Sequence, residues 1–391
     1  MKRDFSRLTF NPGKHCSGVL HQQGRVELDS DRIEDVFDRL NLLQMETVDI
    51  IGACGFPEPG SAFRIWENPD ANAAPDDFLI GGGAGPRGRG YVQGILAQLE
   101  QGVSYHSQPD FPNAPEITMP ADGGDLTAFV YLEVWQRLIT YLEDDSIREI
   151  ALGGPDTGAR IKTIAQAKVQ VLPPSDRPLN CPTAARLTPG DGHGLLTTLP
   201  PQDTQPPDPC RIPDPSTYTG RENHFYRVEI HSGGDVLGSG GAAFQIALAQ
   251  DAAAEAVTLS LSSPLTADEA GAADRSGIVT IANNQGRSET VALASIGTSS
   301  QTITLARGLS GAFTTANASA VTGGVARFKW SADNASVGQR VTAVSADRKT
   351  LTLASLGRDQ ATALRQGDLV EITDDASELG PARGHSTSAC S

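Results

Sequence analysis

Gly83, Gly85 and Gly88 stand at the spacing of a G-x-G-x-x-G phosphate loop, directly after the strand-forming run Phe78-Leu79-Ile80. Holding a pyrophosphate requires such a loop to open a helix whose first amides face the anion. Pro86, Gly90 and the β-formers Tyr91 and Val92 work against a helix, and no suitable acid follows about twenty residues on. The run reads as a glycine-rich hairpin loop. The histidines His15, His21, His106, His193, His224, His231 and His385 fall in neither H-x-x-H nor H-E-x-x-H spacing. His224 and His231 flank one strand at an odd separation, which turns them to opposite faces. His15 beside Cys16, with His21 nearby, reads as loop. There is no G-x-S-x-G elbow and no P-loop lysine, and Glu143-Asp144-Asp145 and Asp374-Asp375 read as solvated turns without a calcium-loop pattern. A glycosidase dyad of distant carboxylates is the one catalytic arrangement left open. No catalytic, cofactor-binding or metal-binding residue is assigned, no cofactor is expected, and the chain reads as a non-enzyme.

The residues that stand out instead belong to the first thirty. Phe5, Leu8, Phe10, Val19, Leu20, Val26 and Leu28 alternate with Arg3, Arg7, Lys14 and Arg25. This is too little apolar area to fold alone, but enough to anchor an arm on a larger surface. Phe5, Leu8, Phe10, Val19, Leu20 and Arg25 are the expected assembly interface, docking on a neighbouring subunit or on the body of the same domain.

Composition limits the partners. The chain has 391 residues, 41 of them glycine and 25 proline, with only three methionines and three tryptophans, which suits a turn-rich, mainly β (α+β) protein. A net charge of -16 argues against nucleic acid and anionic membranes. No apolar run approaches the ~18 residues of a spanning helix and no signal core follows Met1, so no direct membrane insertion and a cytoplasmic synthesis are expected. Cys16, Cys54, Cys181, Cys210 and Cys390 are odd in number and scattered, specifying neither a disulfide framework nor a zinc module. Cys181 and Cys210 flank one Pro-rich stretch and read either as a pair formed on export or, preferably, as two reduced thiols.

Six segments follow from the pattern. Residues 1–56 hold the arm and one long helix, capped by Asp29-Ser30-Asp31 and carried by Ile33, Val36, Phe37, Leu40, Leu43, Met45, Val48, Ile50 and Ile51 to Gly52. Residues 57–172 form a β-rich body, expected as one antiparallel sheet packed on that helix, with Phe129 to Trp135 and Lys162 to Leu172 as its strongest strands. Glu143 to Leu152 reads as a short helix or an irregular return. Residues 173–215 carry twelve of the 25 prolines and form a linker or surface loop. Residues 216–249 return a strand to the body, 250–325 are an inserted β-repeat module, and 326–391 are a C-terminal β module.

The repeat is visible in Thr258-Leu259-Ser260-Leu261 leading to Gly277-Ile278-Val279-Thr280-Ile281, and in Thr350-Leu351-Thr352-Leu353 leading to Gly367-Asp368-Leu369-Val370-Glu371-Ile372. Thr302-Ile303-Thr304-Leu305 leading to Ala320-Val321 is a weaker copy. Two short strands cannot bury an apolar face alone, so the copies are expected to close on one another as small β-barrels or a sandwich.

The arm resembles the opening of a bacterial family of unknown function whose members look like tail- or baseplate-associated parts of phage-like contractile injection particles. The resemblance continues in Gly90-Tyr91-Val92-Gln93-Gly94, Tyr131-Leu132-Glu133-Val134-Trp135, Glu149-Ile150-Ala151-Leu152, Glu222 to His231, Arg327-Phe328-Lys329-Trp330 and Gly367 to Asp375. In that family the strand at Tyr226 often joins Phe328 almost directly, whereas about ninety-five residues intervene here. The resemblance implies a structural component at the baseplate, spike, cage or fibre of such a particle. Its partners would be the other subunits, in a homo-oligomeric arrangement, and its location extracellular once a particle is released. The rival readings are a carbohydrate- or receptor-binding module, with Trp66, Tyr91, Tyr105 and Trp330 as stacking faces, and a cryptic polysaccharide hydrolase.

Overall fold

The computed structural model describes residues 4–57, 63–70, 72–81, 88–120, 126–172, 177, 179–180, 184, 225–232, 234–235, 243–297, 299–332, 334, 338–346, 350–357, 363–366, 368 and 370–380. The chain divides into two compact units, one of residues 1–193 and 333–391 and the other of residues 194–332. The architecture is mainly β, with antiparallel pairing throughout its named strands. Most of the glycine-rich loop, Cys181, Cys210, His193, His224 and His385, and nearly all of the Pro-rich stretch lie outside the described residues.

In the first unit the arm runs back along helix α1 (Asp29–Ile51), whose end is set by Gly52 at φ +95°. The expected cap lies one residue further out. Leu28 holds the N-cap position without a side-chain bond, and Asp29 and Asp31 fall inside the first turn, where the helix dipole favours them. Three small sheets follow in place of the single sheet expected. Strand β1 (Cys54–Gly55) pairs with β4 (Gly88–Val92), which pairs with β5 (Ile95–Leu99). β2 (Ile65–Glu67), β3 (Phe78–Ile80) and β6 (Val103–Ser104) form the second. The third is a twelve-residue ribbon of β7 (Ala128–Ile139) and β8 (Arg160–Val171), paired from Ala128–Val171 to Ile139–Arg160. Glu143 to Leu152 contains two 3₁₀ turns, Asp145–Ile147 and Ile150–Leu152.

The ribbon is the spine of this unit, because every hydrophobic cluster here includes it. One cluster joins Ile80, Tyr105 and Phe111 to Ala167, and another joins Val92 and Ala97 to Leu132 and Val134. A two-stranded ribbon leaves unpaired edges, which must be covered to be stable. The Gln108 carboxamide does so on β8, donating to the Ala167 carbonyl at 3.0 Å and accepting from its N–H at 2.7 Å, as a strand would. The helix does not cover a sheet. Its only buried residues are Ser30 and Asp38, and it meets the body near its C-terminal end. There the Gln93-Gly94 turn abuts the helix, with Gly94 at φ +77°, where a Cβ would run into the Gln44 carbonyl.

The second unit holds a ribbon and a barrel-like sheet. β9 (Tyr226–Ser232) pairs with β16 (Arg327–Ala332), so the strand expected to return to the body pairs instead across the root of the insert. A sheet in the order β10 (Phe244–Ala247), β15 (Ala320–Gly323), β12 (Ile278–Ala282), β13 (Ser288–Ile296), β14 (Thr302–Leu305), β11 (Thr258–Ser260) curls until its end strands meet at the Leu248–Leu261 bridge. Helix α2 (Ala267–Ser276) carries a capping box between Thr266 and Glu269. The module therefore begins at β10, ahead of the expected residue 250. Two repeat copies interlock as predicted: β11 pairs with β14, and β12 with β15. Leu259, Ile303, Val279, Ile281 and Val321 all point into one core with Phe313 and Leu309.

The third copy does not build such a unit among the described residues. β18 (Leu351–Leu353) pairs with β17 (Val341–Val344), while Val370 and Ile372 are exposed and outside any strand. The chain then returns to the first ribbon, where the short helix α3 (Asp375–Leu379) buries Leu379 against Trp135 and Ile164. Glu378 and Asp375 accept from Arg137 at 3.2 and 3.3 Å. Asp374-Asp375 thus leads into a docked helical turn, with both residues still exposed to solvent.

Candidate functional site

Arm and helix form one surface. Ser6 Oγ donates to Asp29 Oδ1 at 2.9 Å, which holds that carboxyl below its usual range, and Arg7 Nε donates to Ser30 Oγ at 3.1 Å. Thr9 donates to Glu34, and the Val19 N–H donates to Asp35 Oδ1 at 3.3 Å. Phe10 stacks on Phe37 with ring centroids 5.7 Å apart. Of the six residues expected at the interface, Phe10 and Val19 are therefore used within the chain, and Phe5 is half-buried. Leu8, Leu20 and Arg25 face outward, Leu20 being 92% exposed.

Along the part of α1 that the arm leaves open, Val36, Leu43 and Ile50 are 47%, 59% and 75% exposed. Large apolar side chains in such a row are costly in water, and a contiguous apolar patch marks a docking face. The sequence signal was present, but periodicity alone reads a helical stripe as core.

A second exposed apolar face lies on the β9–β16 ribbon. Tyr226, Val228, Ile230, Phe328 and Trp330 share one side and all are exposed, Trp330 by 63%, with Tyr226 edge-on to Trp330 at 5.5 Å. The other side is polar: Glu229 pairs with Lys329 at 2.9 Å and with Arg227 at 3.2 Å. The remaining stacking candidates fare differently. Tyr105 is fully buried, Tyr91 is half-buried, and the Trp66 ring is covered by the Arg64 guanidinium at 3.9 Å.

Among the described residues the arrangement closest to acid–base machinery is His106 with Asp76, Nε2 to Oδ2 at 3.0 Å. Asp76 Oδ2 also accepts the Ile117 N–H at 2.8 Å, and the His106 N–H donates to Asp77 Oδ1 at 3.3 Å. These bonds tie the segment after β6 to the turn before β3, which is structural work. Burial pushes the Asp76 carboxyl up, but the bonds from Ile117 and His106 outweigh it and hold the group below the usual carboxylate range. A depressed carboxyl contributes stability above its unfolded value of about 3.9 and loses it as pH falls through the folded one. Asp76→Ala should therefore lower stability by about 2 kcal/mol at pH 7, and the deficit should shrink below about pH 4, in urea titrations across pH. A deficit that does not change with pH would refute this role.

Among the described residues no group of three His, Cys, Asp or Glu is placed to hold a metal ion, and no helix is long and apolar enough to cross a membrane. Cys16 is free and exposed, whereas Cys54 is disulfide-bonded, which its scattered spacing did not indicate.

A model of a family of unknown function, DUF6519, matches residues 1–179, which span the arm, α1 and both long ribbon strands of the first unit. The resemblance noted in the sequence from Glu222 onward lies outside that match. No curated protein and no solved structure matches the chain.

Proposed function

We propose that this chain is a non-enzymatic structural component of a phage-tail-like contractile injection particle, seated at its baseplate, spike, cage or fibre and held there by protein–protein contacts. The observation that carries the reading is the open apolar face of α1, a 23-residue helix with only two buried residues. A globular protein gains nothing from such a helix unless another surface covers it. The acidic net charge suits docking on a basic protein partner, and the Cys54 disulfide suits a particle released into an oxidising medium. The particle type itself rests on the sequence resemblance. An epitope-tagged full-length chain, followed through gradient purification of particles from its native host, should co-sediment with tail-like objects seen in negative stain. Sedimentation as free protein, with particles intact and lacking the tag, would overturn the reading.

The ribbon favours a second reading as a carbohydrate- or receptor-binding module, because Trp330 and Tyr226 are both exposed aromatic side chains on its apolar side. Binding on a glycan array that Trp330→Ala abolishes would establish it.

A further inference from the structure

The open stripe of α1 has the pattern of a coiled-coil seam. Ile33, Leu40 and Thr47 stand seven apart, and Val36, Leu43 and Ile50 follow each of them by three, which gives alternating a and d positions over two and a half heptads. None of the six is buried, and the d residues are the ones about half exposed or more. The arm and body meet the helix at other positions, while Leu42, Met45 and Ile51 beside the seam are exposed as well. The arm bonds and stacks at Asp29, Ser30, Glu34, Asp35 and Phe37, and the body approaches at Gln44, none of them among these six residues. The seam from Ile33 to Ile50 is about 27 Å long at the rise of an α-helix. An isolated helix of this length is marginal in water, but here the helix is already held by the arm.

We infer that the α1 seam pairs with the α1 seam of a second copy of this chain, antiparallel about a two-fold axis between Leu40 and Leu43. This rests on the assembly reading and names the occupant of its open helix face. The layers set the register and the flanking charges the direction. Run antiparallel, Ile33 meets Ile50 of the second copy, Val36 meets Thr47, and Leu40 meets Leu43, and the symmetry repeats each layer. The flanking g positions are Arg32, Arg39 and Glu46. In this register Arg39, which already pairs with Asp35 of its own chain at 3.0 Å, lies across from Glu46 of the second copy, twice in the dimer, and both side chains are exposed. Run parallel, the flanking contacts would set Arg39 against Gln44 and Glu46 against Ile51, and no opposite charges would meet. Charge therefore selects the antiparallel pair, and a two-fold contact closes without leaving the stripe exposed.

The test is sedimentation equilibrium on the full-length purified protein. A dimer is expected, and Leu43→Glu should abolish it while circular dichroism stays unchanged, because Leu43 is largely exposed in the monomer. Arg39→Glu and Glu46→Arg should each weaken the dimer about tenfold, and the double variant should restore it. A wild-type protein that stays monomeric at about 100 μM, a dimer untouched by Leu43→Glu, or a double variant no tighter than the singles overturns the inference. A monomeric chain that still co-sediments with particles would sink this pairing and leave the assembly reading standing.

Discussion

Glu133→Leu alone, or Lys168→Met alone, will destabilise the first unit by about 3–5 kcal/mol, and the double substitution will recover most of the loss. The two side chains form an ion pair on one face of the β7–β8 ribbon, Glu133 1% exposed and Lys168 8%. They are diagonal neighbours, since Glu133 sits opposite Gln166 and Tyr131 opposite Lys168. The Lys168 ammonium also lies 5.6 Å from the Phe111 ring centroid. Removing one partner strands a charge where water cannot reach it, whereas removing both leaves an apolar surface that can close. Urea unfolding followed by circular dichroism measures the three variants. A double variant as unstable as the singles would show that the site depends on the individual side chains rather than on their pairing.

Phe313→Ala will cost the second unit about 3–5 kcal/mol and leave the first unit's transition in place. Phe313 is completely buried among Leu259, Ile303, Val321 and their neighbours, so its removal opens a cavity the surrounding sheet can only partly fill. The independence follows from the root of the insert. Asp235 and Val325 lie side by side, with the Asp235 N–H donating to the Gly324 carbonyl at 2.7 Å, so the chain enters and leaves the module at one point. Residues 235–325 expressed alone should consequently unfold in one cooperative step. Calorimetry of the full-length variant should show one of two transitions lowered. A single merged transition that shifts as a whole would mean that the barrel and the first unit fold as one body.

The sequence by itself determined those features that depend on which residues share a face. Alternation in Phe129 to Trp135 and Lys162 to Leu172 is enough to place β7 and β8, Gly52 is enough to end α1, and two copies of the Thr-Leu repeat are enough to give interlocking barrel strands. These are properties of neighbours along the chain, and local physics fixes them. What covers each face was decided only by tertiary structure. Strand alternation marks Leu259 as core and helical spacing marks Leu43 in the same way, yet one is sealed in a barrel and the other is open to solvent. The repeat at Leu351 has the letters of the barrel copies, but it pairs locally with β17, and its second half remains exposed at Val370 and Ile372. Nor could the ion pair of Glu133 and Lys168 be read in advance, because it needs the register of two strands that start more than thirty residues apart. Periodicity reports a preference for burial, and whether that preference is met depends on contacts between distant segments. Where the folded chain leaves it unmet, on the seam of α1 and the aromatic side of the β9–β16 ribbon, the remaining free energy is available to a partner.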